Sequence, residues 1–500
     1  MKKLLNIPTI MFLAGGLLQA CSGFLDENPE GQLAVSNSYL TEADAKAGVA
    51  AVYEGLQQMY ERRMFLLTEL PTDNMKNGTG MGNSQLQDLE YERHTAQNFM
   101  VRDVWLRSFN TIAKANVAIE NVPKVSMDED LKARLMGEAK FLRALYYFNL
   151  VRFHGDVPLV VKPVTTLADA LAERAPESEV YAQIIKDLQD AEQDLPISYG
   201  PADSGRATRG AAKILLGKVY LTLGQFQNCV DKLAEVIDNE GTYGYGLHED
   251  YADNWKIATE LGQEMVFTVE FAQDLDGNVS MRLQAPRRDT SIPNAAIVLG
   301  ISAADEADIP TQELFSIFDD EDERKFVTLR IDFVSLKDGS VHTSKIPLCV
   351  KYWEEGETDT GQSDNNMQVL RYSDALLMYA EALNEIDQTA DAYEHINRVR
   401  ERAFNSPDHN YSALTKEQFR DSVYLERRLE LAFEAHRWFD LVRTGRLVQR
   451  MQDHAVAEAA LSGEPIKLVI GDNIKDYMNK MPIPQDEVSV NPLLTQNTGY

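Results

Sequence analysis

LERRLELAFEAHRWFDLVRTG, residues 425–445, is the stretch whose reading decides the fold. Its spacing predicts one helix. Leu425, Leu429, Ala432 and Phe433 recur at helical intervals and make an apolar stripe. Arg427 with Glu430, Glu434 with Arg437, and Asp440 with Arg443 are opposite charges three apart, so each pair shares a face. Gly445 follows the basic Arg443, which suits a helix C-terminus. Physics alone reads this as a solvated, salt-bridged helix lying on a core. Glu426, Glu430 and Glu434 make a poor catalytic set, because carboxylates interleaved with arginines stay ionised instead of dividing into an acid and a base.

The same stretch resembles the C-terminal signature of the RagB/SusD family, the surface nutrient-binding lipoproteins of Bacteroidetes, whose usual form is close to ERR-x-ELAFEG-x-RWFDL-x-RTG. Ala435 stands where the family usually has Gly, a mild departure if the stretch is helical, since Ala is the better helix former. RYSDALLMYAEALNE (Arg371 to Glu385) resembles the family helix before it. MPIPQDEVSVNPLLTQNTGY (Met481 to Tyr500) resembles the closing segment, with Thr498 for the usual Pro. The resemblance implies a mainly helical fold: a scaffold of four tetratricopeptide-like repeats with a long irregular, short-strand insertion. It also implies a binding role without catalysis, a partner in a TonB-dependent transporter of the SusC type, and a ligand held by the non-repeat regions.

Composition narrows the partners. Lys+Arg number 49 against 78 Asp+Glu, a net charge of −29. A polyanion such as nucleic acid needs a basic surface, so it is excluded as a partner, as is electrostatic attachment to anionic lipid. Residues 1–20 read as a signal peptide, with Lys2 and Lys3 ahead of a short apolar run, Ile10 to Leu18. Leu18-Gln19-Ala20-Cys21 resembles a bacterial lipobox, which implies a diacylglycerol thioether on Cys21 and anchoring in the outer-membrane bilayer facing the cell exterior. The competing reading is ordinary secretory cleavage beside a chance cysteine. Residues 21–40 read as a tether, 41–240 as a helical region, 241–368 as the insertion and 369–500 as the C-terminal region. Cys229 and Cys349 are the other cysteines, and their spacing leaves a disulfide and two buried thiols equally open.

Thr41 caps a first helix through Leu56. Asp103 to Asn121 and Leu131 to Phe153 are periodic helices, the second ended by Gly155 and Pro158. Residues 209–241 carry the tetratricopeptide spacing, with Gly217 small and Leu233 large. A second copy spans 373–402, and Ser178 to Leu195 supplies a further unit. Thr242 to Gln368 has another texture: strands are predicted at Met265 to Phe271, Phe326 to Val334 and Val341 to Tyr352. Pro71 to Asn98, rich in Gly and Asn, reads as a flexible loop near a binding surface.

No HExxH, GxSxG or paired-cysteine motif occurs, and His395 and His436 read as structural helix residues. Asp274 to Asn278 begins like a calcium loop but lacks its Gly and Glu, so no cofactor is expected and only a casual Ca2+ site stays open. Sugar recognition needs aromatic faces and Asp, Asn or Arg for hydroxyls. The non-repeat segments offer Asp73, Asn74 and Tyr91, then Arg287, Arg288 and Trp353, with Trp255 and Tyr352 nearby in the same insertion. Core packing is the competing role, and the favoured one for Trp255 and Trp353. The reading is an oligosaccharide-binding lipoprotein that delivers to the transporter. A peptide-binding member, a glycosidase and a pure scaffold are the alternatives.

Overall fold

Thr41 opens helix α1 (Glu42–Met59) with a capping box: its hydroxyl accepts from the Asp44 amide, and the Asp44 carboxylate accepts from the Thr41 amide at 2.8 Å. The computed structural model describes residues 39–78, 83–272, 275, 277–280, 283, 308–335, 338–354 and 363–500. From α1 the chain builds a stack. It continues through α2 (Phe99–Asn121), α3 (Glu129–His154), α4 (Glu177–Asp194), α5 (Arg209–Thr222) and α6 (Phe226–Ile237), then α7 (Tyr372–Glu385) and α8 (Thr389–Phe404). Each helix packs on the next. Close approach is possible where side chains are small: a Cβ on Gly217 of α5 would come within 2.6 Å of Leu233 Cδ2 on α6. Among the described residues no helix is long and apolar enough to cross a membrane.

α6 packs directly on α7 although the insertion separates them in sequence. A two-stranded ladder closes the insertion at its base. β2 (Met265–Val269) runs antiparallel to β6 (Met367–Arg371), with Thr268 opposite Gln368. β2 was legible in its alternation. β6 was not, because its five residues are all buried and run straight into α7. Farther out, β1 (Met75–Lys76) pairs with β3 (Ile309–Pro310), and β4 (Leu329–Val334) with β5 (Val341–Cys349). β4 starts later than its sequence suggests because Arg324–Thr328 is a helical turn. Pro71 to Asn98 is not a loop throughout. Residues 71–76 are buried, and Ser84–Glu90 is a helix. Cys229 and Cys349 are both free and buried, which settles their alternative in favour of thiols; burial pushes Cys349 up to about 12.

The deciding stretch is not one helix. α9 (Lys416–Glu430) stops, residues 431–436 turn, and α10 (Arg437–Arg443) follows, with Gly445 at φ 67° where expected. Phe433 and Ala435 both take left-handed backbone, at φ 65° and 62°. His436 therefore sits at the N-cap of α10 and not inside a helix. The turn carries the fully buried Phe433 onto Phe65 and lets the Ala435 amide donate to Glu69.

Nor is the stretch solvated. Glu426, Arg427, Arg428, Glu430, Glu434 and Arg437 are all buried. Of the three predicted same-face pairs only Asp440–Arg443 forms, at 2.8 Å. Arg427 pairs instead with Asp374 and Asp440, Glu434 with Lys351 and Arg371, and Arg437 with Asp73. Side chains three apart on one helix are neighbours, but in a low-dielectric interior each charge needs several partners at once. The fold supplies them from other elements.

Ala435 is the weak point of this turn. The family's Gly fits left-handed backbone without a Cβ penalty, whereas Ala does not, so the substitution is a local strain and not the helix improvement its propensity suggests. Ala435→Gly is expected to raise stability by about 0.5–1 kcal/mol, read as a higher midpoint in urea with an unchanged slope. A lower midpoint would contradict the strain assigned to Ala435.

Candidate functional site

Of the residues singled out for ligand binding, Asp73 and Asn74 are enclosed in the core. Asp73 is fully buried; Arg437, Arg428 and Arg450 converge on its carboxylate and, against the cost of burial, hold it well below the usual carboxylate range. Asn74 donates to Glu69 and accepts from Arg428. Trp353 is half-buried against Phe333, with ring centroids 5.6 Å apart. Trp255 packs on Tyr251 in the core, and the Tyr352 hydroxyl is buried and donates to the Phe433 carbonyl. Arg287 and Arg288 lie outside the described residues, as do Cys21, Asp274 and Asp276. Among the described residues no three His, Cys, Asp or Glu side chains gather as a metal site.

Tyr91 is half-buried. It does not itself line a cleft but precedes Glu92, the first lining residue of one of about 660 Å³. Lys467 lies 5.0 Å from its ring centroid and Arg93 5.2 Å, while its carbonyl accepts from Asn473. The cleft runs between residues 92–97, which link the helix Ser84–Glu90 to α2, and two C-terminal pieces, Asp472 to Met478 and Gly499-Tyr500. The Gln485 amide donates to the Ala96 carbonyl at 2.9 Å and joins the two sides.

Two tyrosines shape it. Tyr477 and Tyr500 meet edge to face at 5.0 Å. Tyr477 lies flat on Gly499, where a Cβ would come within 2.3 Å of its ring, so only glycine admits the contact; φ 99° there favours glycine too. The Tyr500 hydroxyl is 2.9 Å from His94 Nε2. Gln97, Asn473 and Lys475 add polar groups around the rings. Aromatic rings ringed by amides and hydroxyls can stack on C–H faces and bond hydroxyl groups.

Below the tyrosines lie two buried groups that sequence gave no way to find. Glu92 has strained backbone, φ 51°, and its Oε1 has no hydrogen-bond partner. His94 Nδ1 has none either and stands 3.9 Å from Glu92 Oε2. Burial alone raises the Glu92 carboxyl well above its ordinary value and pushes His94 down to about 4. Neither residue follows a motif; the loop geometry brings them together.

The comparisons with known proteins agree with this architecture. Residues 302–500 match the SusD family model, and residues 23–221 match a model described as starch-binding, associating with outer membrane. SusD-like protein P25 of Formosa agariphila is 27% identical over 100% of both chains. Starch-binding protein SusD of Bacteroides thetaiotaomicron is 23% identical, covering 89% of this chain and 87% of its own. A laminarin-binding SusD-like protein superposes with a TM-score of 0.78 at 28% identity, over 92% of this chain and 100% of that one.

The two buried groups give opposite pH dependences. Glu92 has a folded value above its unfolded 4.5, so its contribution is full below 4.5 and is lost as pH rises. His94 has a folded value below its unfolded 6.5, so its contribution is full above 6.5 and is lost as pH falls toward 4. Glu92→Gln is therefore expected to gain stability over the parent as pH rises from 4.5 to 8. His94→Gln is expected to gain over it as pH falls from 6.5 to 4. Urea midpoints across pH check both; parallel curves for parent and variants would refute the assignment.

Proposed function

Because this chain belongs to the SusD/RagB family, we propose that it binds an oligosaccharide at the cell surface and hands it to a TonB-dependent transporter of the SusC type. The observation that carries the reading is the tyrosine-lined cleft on a fold shared with a laminarin-binding protein. A glucan offers alternating C–H faces and hydroxyls, which Tyr477, Asn473 and Gln97 suit. Delivery requires only capture and release. The helical stack is the rigid body, and the lipid on Cys21 with the tether after it keeps that body at the outer membrane while the ligand changes hands. A peptide cargo fits the same family and would change only the ligand.

Calorimetric titration of the purified protein against laminarihexaose, other neutral oligosaccharides and short peptides tests the reading, with each mixture checked for cleavage. Binding of one glycan class without turnover is the expected result. Tyr477→Ala should weaken it about tenfold, the loss of one stacked ring at ~1.4 kcal/mol. Peptide binding alone would reassign the cargo, and hydrolysis would overturn the non-enzymatic role. Co-purification of a transporter from the outer membrane is expected if delivery is the purpose of capture.

A further inference from the structure

A different pocket, about 200 Å³ in volume, opens on the outer side of the signature stretch. Five arginines line it: Arg427, Arg428, Arg437, Arg446 and Arg450. The carboxylates in its wall are Asp421 and Asp440. This runs against the charge of the whole chain, which is −29. Behind the wall Arg428, Arg437 and Arg450 share Asp73 and Glu313, and Arg427 is paired with Asp374. Burial, with Arg437 as a like-charged neighbour, lowers Arg428 to about 10.

The arginines spend only part of their donor capacity on the core. Arg427 donates through Nε to Asp440 and through Nη1 to Asp374. Arg437 donates through Nε and Nη2 to Asp73. Arg446 donates through Nη2 to Asp421 and lies over the Tyr424 ring at 4.4 Å. Arg427 Nη2, Arg437 Nη1 and Arg446 Nε and Nη1 are left without partners among the described residues. Helix α11 (Leu447–Ser462) also begins here. Its N-cap is Arg446, which supplies no side-chain cap, so the free amides of its first turn add positive potential at the rim.

Planar guanidinium forks with spare N–H groups match the paired oxygens of an oxyanion, and the space admits such an ion with several waters. We propose that this pocket binds a small oxyanion, sulfate or phosphate, either free or esterified to a sugar. The assignment is independent of the glycan cleft, since the two share no lining residue.

Inorganic sulfate, inorganic phosphate and glucose 6-sulfate are titrated into the full chain by calorimetry, with ionic strength held constant by NaCl. Saturable binding of at least one is expected. Arg446, whose side chain is 43% exposed, can be changed without opening the core. Arg446→Gln should weaken binding about fivefold or more, the loss of roughly one charge-assisted contact. Asp421→Asn should tighten it, because it removes a rim carboxylate and releases Arg446. A merely structural Arg446–Asp421 pair would not move affinity in opposite directions. Tighter binding of glucose 6-sulfate assigns the group to a sugar; equal or exclusive binding of the inorganic ions assigns a free ion. No saturable binding by any of the three, or responses that neither variant alters, would overturn the proposal.

Discussion

Glu430 is fully buried and accepts from three guanidinium groups, those of Arg402 at 2.6 Å, Arg371 at 3.0 Å and Arg324 at 3.1 Å. Burial alone would raise its carboxyl; the three cations outweigh that and hold it far below its ordinary value. Each partner belongs to a different part of the chain. Arg402 is in α8, Arg371 ends β6, and Arg324 opens the turn before β4. Arg371 and Arg402 also share Glu264, just ahead of β2, and Arg371 takes Glu434 from the turn after α9. One ionic cluster thus ties the helical stack, the base of the insertion and the signature stretch.

Removing ions from water costs several kcal/mol each, so such a cluster stabilises only when every member is paired. That requirement explains the break after Glu430. A continuous helix would carry Glu434 onward along α9 instead of back to Arg371 and Lys351. The left-handed residues Phe433 and Ala435 are the cost of that reversal. With the base of the insertion clamped, the C-terminal segment runs back to the loop after Ser84–Glu90, and the tyrosine cleft forms where they meet.

Much of the fold was legible because helical spacing and capping are local. Thr41 with Asp44, Gly217 against Leu233, and Gly155 after α3 each did what their chemistry predicted. The charged stretch was misread because spacing reports neighbours on one helix, whereas Arg371 and Arg402 approach from elements encoded 59 and 28 residues away. Asp73 and Asn74 were misplaced for the same reason: a polar pair in a Gly-rich segment looks like a loop until Arg428 and Arg437 are seen to enclose it. Of the site itself the sequence marked only the neighbourhood, the 71–98 segment whose residues 92–97 line one side of the cleft. Glu92 and His94 bear no spacing signal, and Tyr500 comes from the far end of the chain.

The account rests on the Glu430 cluster, and Glu430→Gln tests it most directly. Urea unfolding and hydrogen exchange would be followed together on parent and variant. A loss of ~3–5 kcal/mol is expected, from leaving buried guanidinium groups short of charge. Protection should fall jointly in α9 and across the β2–β6 ladder, because the cluster joins them. A loss below ~1 kcal/mol, or a ladder that stays protected while α9 opens, would contradict the claim that one buried carboxylate holds the stack and the insertion together.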